Sequence, residues 1–142
     1  MEPACILVVE DNLADQYLFR EGTKEADQPV SLHFATNGEE ALSFLRRQGR
    51  FASSPRPDVV LLDLNLPLKD GREVLTEIKQ DPALKEIPVI ILSTSSNPED
   101  MSTSYDLGAS SYLVKPSDFN DYMALVKKTI EYCYGLPSVK GR

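Results

Sequence analysis

The sequence predicts an α/β domain wound on both faces of a five-stranded parallel sheet, with five helices. Two observations carry this reading. Short aliphatic runs alternate five times with segments of helical periodicity. The run Val59-Val60-Leu61-Leu62 is aliphatic at every position, as a strand covered on both faces must be. Parallel strands joined in this order need right-handed crossovers, which place helices on both sides of the sheet. A chain of 142 residues is expected to form one domain over 1–142, with its core over about 4–134 and a loose tail over 135–142.

Cys5 to Val9 reads as the first buried strand, ended by Glu10-Asp11-Asn12. Asn12 or Asp15 then caps a helix over about Ala14 to Ala26. Asp27-Gln28-Pro29 breaks it, and Val30 to Ala35 alternates as a second strand does. Asn37 is an N-cap candidate for a helix that puts Ala41, Leu42, Phe44 and Leu45 on one face, with Glu39 and Glu40 favouring its positive end. Gly49 to Pro57 is a surface loop longer than most connections, serving as a contact element or as slack. The third strand ends at Asp63, and Asp70-Gly71 opens a helix with Val74, Leu75 and Ile78 at helical spacing. Asp81-Pro82 is expected to start another turn, with Pro82 at a first helical position. Pro88 to Leu92 is the fourth strand. Asn97-Pro98-Glu99-Asp100 starts a helix that Gly108 stops. Ser111 to Val114 is the fifth strand. The last helix, Asp118 to Tyr134, places Phe119, Tyr122, Met123, Val126, Ile130 and Cys133 on one side, with Leu125 and Tyr132 off that stripe.

A formal net charge of −7 argues against nucleic acid or an anionic membrane as the partner. The sequence contains no apolar run near membrane-spanning length, and its N-terminus lacks a signal-peptide pattern. Cys5 and Cys133 form no metal-ligand spacing and sit in apolar surroundings, so they are expected to be buried, reduced thiols of a cytoplasmic protein. His33 falls on a strand and reads as structural.

Ligands and chemistry gather at the carboxyl ends of the strands in sheets of this kind. The first strand delivers Glu10 and Asp11 there, the third Asp63, the fourth Ser93 and the fifth Lys115. Each has an ordinary reading on its own: a strand-ending acid, capping acids, a turn hydroxyl, a surface lysine. Together, three carboxylates repel one another unless a cation intervenes, and Mg²⁺ suits hard oxygen donors that leave it several waters. An aspartate beside Mg²⁺, a lysine and a hydroxyl can attack a phosphoryl group and carry it as an acyl phosphate.

These motifs resemble a response-regulator receiver domain. The resemblance rests on Val8-Val9-Glu10-Asp11-Asn12, the strand ending at Asp63 with Pro67 and Gly71 behind it, Pro88 to Ser93, Gly108-Ala109, and Tyr112-Leu113-Val114-Lys115-Pro116. It covers about residues 4 to 134 and implies a flavodoxin-like sheet in the order 2-1-3-4-5. It also implies that Asp63 accepts a phosphoryl group from a histidine kinase, and that Asp11, Glu10, Asp63 and the backbone carbonyl of Asn65 hold Mg²⁺. Lys115 would pair with the phosphoryl group across a cis Lys-Pro bond, with Ser93 as switch hydroxyl and Tyr112 as switch aromatic. Glu10 stands where Asp is commoner, and Leu66 where Met is. The single-domain length, the 49–57 loop and the wording Leu61-Leu62-Asp63-Leu64-Asn65-Leu66-Pro67 are similar to small regulators paired with bacterial phytochrome kinases. Homodimerisation through the fourth helix, fifth strand and fifth helix is a further implication.

Two other classes fit the fold. An aspartyl-phosphate phosphohydrolase of haloacid-dehalogenase type wants a second acid two residues after the nucleophile, where this chain has Asn65. A flavin-binding carrier wants phosphate-binding donors in the first loop, where this chain has Glu10-Asp11-Asn12.

Overall fold

The computed structural model describes residues 2–142. Five parallel strands, β1 (Ala4–Val9), β2 (Val30–Ala35), β3 (Val59–Leu62), β4 (Val89–Ser93) and β5 (Ser111–Val114), pair in the order β2-β1-β3-β4-β5. Six α-helices alternate with them and follow them: α1 (Leu13–Lys24), α2 (Gly38–Leu45), α3 (Gly71–Gln80), α4 (Pro98–Asp106), α5 (Phe119–Tyr134) and α6 (Pro137–Lys140). The expected sheet order and double winding are both present.

Strand periodicity divides the core in two. Leu7, Val9, Val60, Leu62 and Ile91 face the side carrying α2 and α3. Ile6, Val8, Val59, Leu61, Ile90 and Leu92 face the other side, with Phe19 of α1 and Tyr122, Val126 and Ile130 of α5. All of these side chains are buried, which is why β1, β3 and β4 read as unbroken apolar runs rather than alternating ones. Each of the first five helices starts on an Asn or Asp whose side chain accepts a backbone N–H of the first turn: Asn12, Asn37, Asp70, Asn97 and Asp118. Such caps contribute about 1 kcal/mol each and fix where every helix leaves the sheet edge. Between the alternatives Asn12 and Asp15, the cap is Asn12, which accepts the Asp15 N–H at 3.1 Å.

Two sequence expectations are corrected. Residues 135–142 are not a loose tail: α6 buries Val139, and Arg142 reaches the buried carboxylate of Asp58 at 2.6 Å. Asp58 also accepts the Cys5 N–H at 2.8 Å and the Ser138 hydroxyl at 3.3 Å, so it ties the end of the chain to the floor of β1 and β3. In α5 the buried stripe is Tyr122, Leu125, Val126, Thr129, Ile130 and Cys133, while Phe119 is exposed. Helical spacing holds, but the buried stripe starts at Tyr122, one turn after Phe119. Asp81-Pro82 starts another turn as expected: the Leu84 and Lys85 N–H groups donate to the Asp81 carbonyl at 3.0 and 2.8 Å, and the Asp81 side chain accepts the Ala83 N–H. The 49–57 loop holds one 3₁₀ turn, Gly49–Phe51, whose Phe51 packs on the core beside Phe44. Cys5 and Cys133 are buried free thiols, and burial pushes them up to about 11 and about 12 respectively.

Truncation after Gly135 removes Val139 from the core and two partners from Asp58. It is expected to lower unfolding free energy by about 2–4 kcal/mol, read as a lower urea midpoint. An unchanged midpoint would show that the C-terminal helix contributes no stability.

Candidate functional site

Three backbone hydrogen bonds place the site, each continuing the sheet one residue past an assigned strand. The Glu10 N–H donates to the Ala35 carbonyl at 2.9 Å, the Asp63 N–H to Val9 at 3.2 Å, and the Lys115 N–H to Ser93 at 2.7 Å. The three side chains therefore leave the sheet at one level of its carboxyl edge.

They meet. The Lys115 ammonium donates to Glu10 Oε1 at 2.5 Å, to Asp63 Oδ2 at 3.0 Å and to Asp15 Oδ2 at 3.0 Å. The side chains of Lys115, Glu10 and Asp63 are all less than a tenth exposed, whereas Asp15 is 22% exposed. Backbone donors occupy the remaining carboxylate oxygens: the Asn12 N–H binds Glu10 Oε2 at 3.1 Å and the Asn65 N–H binds Asp63 Oδ1 at 3.0 Å. The buried Gln16 amide donates to the Glu10 carbonyl at 2.6 Å and fixes the turn from β1 into α1. Gly71 is required where α3 starts: a Cβ there would lie 2.3 Å from the Asp63 carbonyl oxygen and 2.7 Å from Leu64 Cα.

Burial raises the Glu10 carboxyl to about 7, although the Lys115 ammonium beside it pulls the other way. Burial disfavours the charged form of Lys115 too, but its hydrogen bonds and charge contacts with Glu10, Asp63 and Asp15 outweigh that and hold the ammonium above its usual range. Asp63 adds a smaller repulsion that also raises Glu10, and the Lys115 ammonium is shared by three carboxylates. One ammonium cannot neutralise so many carboxylates, and a second cation would relieve the repulsion. Glu10, Asp11 and Asp63 can each offer one carboxylate oxygen within 4.8 Å of the others. Hard oxygen donors at this spacing fit a divalent ion such as Mg²⁺ or Mn²⁺.

Ser93 ends β4 beside β3; it is fully buried, and its hydroxyl oxygen accepts the Ser95 N–H at 3.2 Å. Tyr112 is buried in the core with its hydroxyl donating to the Ser95 carbonyl at 2.9 Å, while its N–H donates to the Tyr105 hydroxyl at 3.1 Å. The Ser95 hydroxyl donates to Asp100 at 2.6 Å, and Arg72 of α3 pairs with the same carboxylate at 2.8 Å. The loop between β4 and α4 is thus tied to both α3 and β5. The Lys115–Pro116 bond, expected cis from the resemblance, is trans, as is every peptide bond among the described residues.

The response regulator receiver domain sequence pattern matches residues 6–127. The chain belongs to the response-regulator receiver family. Response regulator Rcp1 of Synechocystis sp. is 47% identical over 125 residues, which is 88% of this chain and 85% of that protein. The phosphorylated cyanobacterial phytochrome response regulator RcpA superposes with a TM-score of 0.89 at 44% identity, covering 94% of this chain and 96% of that one. The Mn²⁺-bound form of Rcp1 gives 0.88 at 44% identity, covering 94% and 97%. Nothing in these similarities supports the phosphohydrolase or flavin readings.

Within this receiver domain, the structure brings Glu10, Asp11, Asp63 and Lys115 together at one edge, with Ser93 on the neighbouring strand end. Tyr112 stands further back, inside the sheet. Sequence reasoning gave Asp15 only a capping role. The available signal was its place in the first turn of α1, the helix that opens directly after Glu10-Asp11-Asn12 at the carboxyl end of β1.

Gly71→Ala is expected to cost about 2–4 kcal/mol, because the clash is with backbone that cannot move without displacing Asp63. Urea denaturation checks this, and a loss under about 0.5 kcal/mol would show that the start of α3 has room to spare.

Proposed function

We propose that this receiver domain is a phosphoryl-accepting switch, with Asp63 the residue that takes the phosphoryl group from a histidine kinase. The observation that carries the reading is the buried junction of Lys115 with Asp63 and Glu10, since ammonium and carboxylate groups at these distances are what a transferred phosphoryl group needs around it. An Asp63 carboxylate oxygen attacks the phosphorus, the bond from phosphorus to the donor imidazole nitrogen breaks, and the electron pair leaves with that nitrogen. Lys115 then moves from the carboxylate to a phosphoryl oxygen. Glu10, Asp11, Asp63 and the Asn65 carbonyl would hold Mg²⁺, which supplies positive charge to the phosphoryl oxygens when bound. The Mn²⁺-bound form of its relative Rcp1 supports a divalent ion here.

Ser93 and Tyr112 are the proposed relay. Ser93 is placed to donate to a phosphoryl oxygen, and Tyr112 reads any movement of the β4–α4 loop through the Ser95 carbonyl. Asn65 lacks the ionisable proton a turnover phosphatase would use two residues after its nucleophile, so the chain accepts phosphate once per signal. The RcpA and Rcp1 similarities favour a phytochrome-type kinase as donor. An exposed apolar rim gives that kinase a surface to grip: Leu13, Leu68 and Phe119 are 75%, 84% and 51% exposed in three loops or helix starts at the same edge. Homodimerisation is proposed through the α4–β5–α5 face, a reading that exposed Tyr105 and Val114 support, to be checked by sedimentation with and without beryllofluoride.

Phosphotransfer from a panel of phosphorylated kinases, a phytochrome among them, is expected to label the wild type and leave Asp63→Asn unlabelled. Retained label in Asp63→Asn overturns the reading. Leu68→Asp is expected to slow transfer from the kinase by at least about tenfold while changing transfer from acetyl phosphate by less than about twofold, because only the protein donor touches the rim. Equal slowing with both donors would place the effect inside the site.

A further inference from the structure

All three donors of the Lys115 ammonium are used, on Glu10, Asp15 and Asp63. Two of these acceptors belong to the oxygen cluster that fits a divalent ion, and Asp15 does not. Glu10 and Asp63 each have one oxygen on a backbone N–H and the other on Lys115, so neither can turn fully toward a metal ion while it holds the lysine. Asp15 is the one acceptor outside that competition. It stands in the first turn of α1, a turn held by the Asn12 cap, and it is more open to solvent than the rest.

We propose that Asp15 is a positioning residue that holds the Lys115 ammonium at the rim of the site, releasing Glu10 and Asp63 to bind Mg²⁺. The inference rests on the reading above that these carboxylates hold a divalent ion. Without Asp15, Lys115 has only Glu10 and Asp63 to bind, and Mg²⁺ must displace it from both. The carboxylate acts through the lysine and need not touch the ion.

A single substitution does not isolate this, since removing any nearby negative charge weakens cation binding. A double-mutant cycle does. Mg²⁺ affinity is measured by isothermal titration calorimetry on the full chain at fixed ionic strength, for wild type, Asp15→Asn, Lys115→Met and the double variant. Asp15→Asn alone is expected to weaken binding about threefold to fivefold, the upper part of the range for one partly exposed charge contact. In the Lys115→Met background, the same substitution is expected to change affinity by less than about twofold, because no ammonium remains to be held. Asp15→Glu, which keeps the charge, is expected to recover most of the wild-type affinity. Should Asp15→Asn fail the circular-dichroism check of folding, Asp15→Ser takes its place in the cycle. An undiminished effect of Asp15→Asn in the Lys115→Met background overturns this inference and leaves the metal reading standing. Absence of Mg²⁺ binding by the wild type overturns both.

Discussion

Everything at the functional edge depends on one buried ammonium shared by three carboxylates. Lys115 comes from the end of β5, Glu10 from β1, Asp63 from β3 and Asp15 from α1, so the ion cluster closes only if strands, crossovers and one helix start are all in register. Breaking a buried pair by removing one partner typically costs about 3–5 kcal/mol, because the other charge is left without compensation. The fold tolerates such a cluster because the charges balance only in part and face an open edge. The remaining negative charge is what makes the site receptive to a divalent ion. On the proposed reading, the same ammonium would then be available to a phosphoryl group on Asp63.

The backbone does most of the positioning. Hydrogen bonds continue the sheet by one residue at Glu10, Asp63 and Lys115, and backbone N–H groups two residues on hold Glu10 Oε2 and Asp63 Oδ1. Side-chain freedom is therefore small before any ligand arrives, which lowers the entropy lost on binding. Behind the site, Tyr112 and Asp100 hold Ser95 from two sides, and Arg72 extends the chain of contacts to α3. A charge change at Asp63 that moved Ser93 would pull on a loop already tied to two surface elements. That is the physical route by which chemistry at one edge can alter a binding face.

The strands and the first five helices were legible in the sequence because their signals are local. Aliphatic runs mark buried strands, and an Asn or Asp marks each helix start. The site was largely legible for the same reason, since parallel topology sends every strand's carboxyl end to one edge. What stayed hidden depends on contacts between distant residues. Asp15 looked like a capping acid, since nothing local says that Lys115 reaches it. The helix at 137–140 is four residues long and has little propensity signal; it exists because Val139 finds the core and Arg142 finds Asp58. Phe119 keeps helical spacing with Tyr122 and Met123, yet it is exposed, which spacing along one helix does not reveal.

The central claim is that the Asp63 carboxylate, and no other group, takes the phosphoryl group. Reduction with borohydride after treatment with acetyl phosphate and Mg²⁺ converts an acyl phosphate to the corresponding alcohol, so peptide mass spectrometry reads the modified residue directly. Homoserine at position 63 alone is the predicted result. Conversion at Asp11 or Asp15, or an acid-labile phosphoryl group on His33, would contradict it.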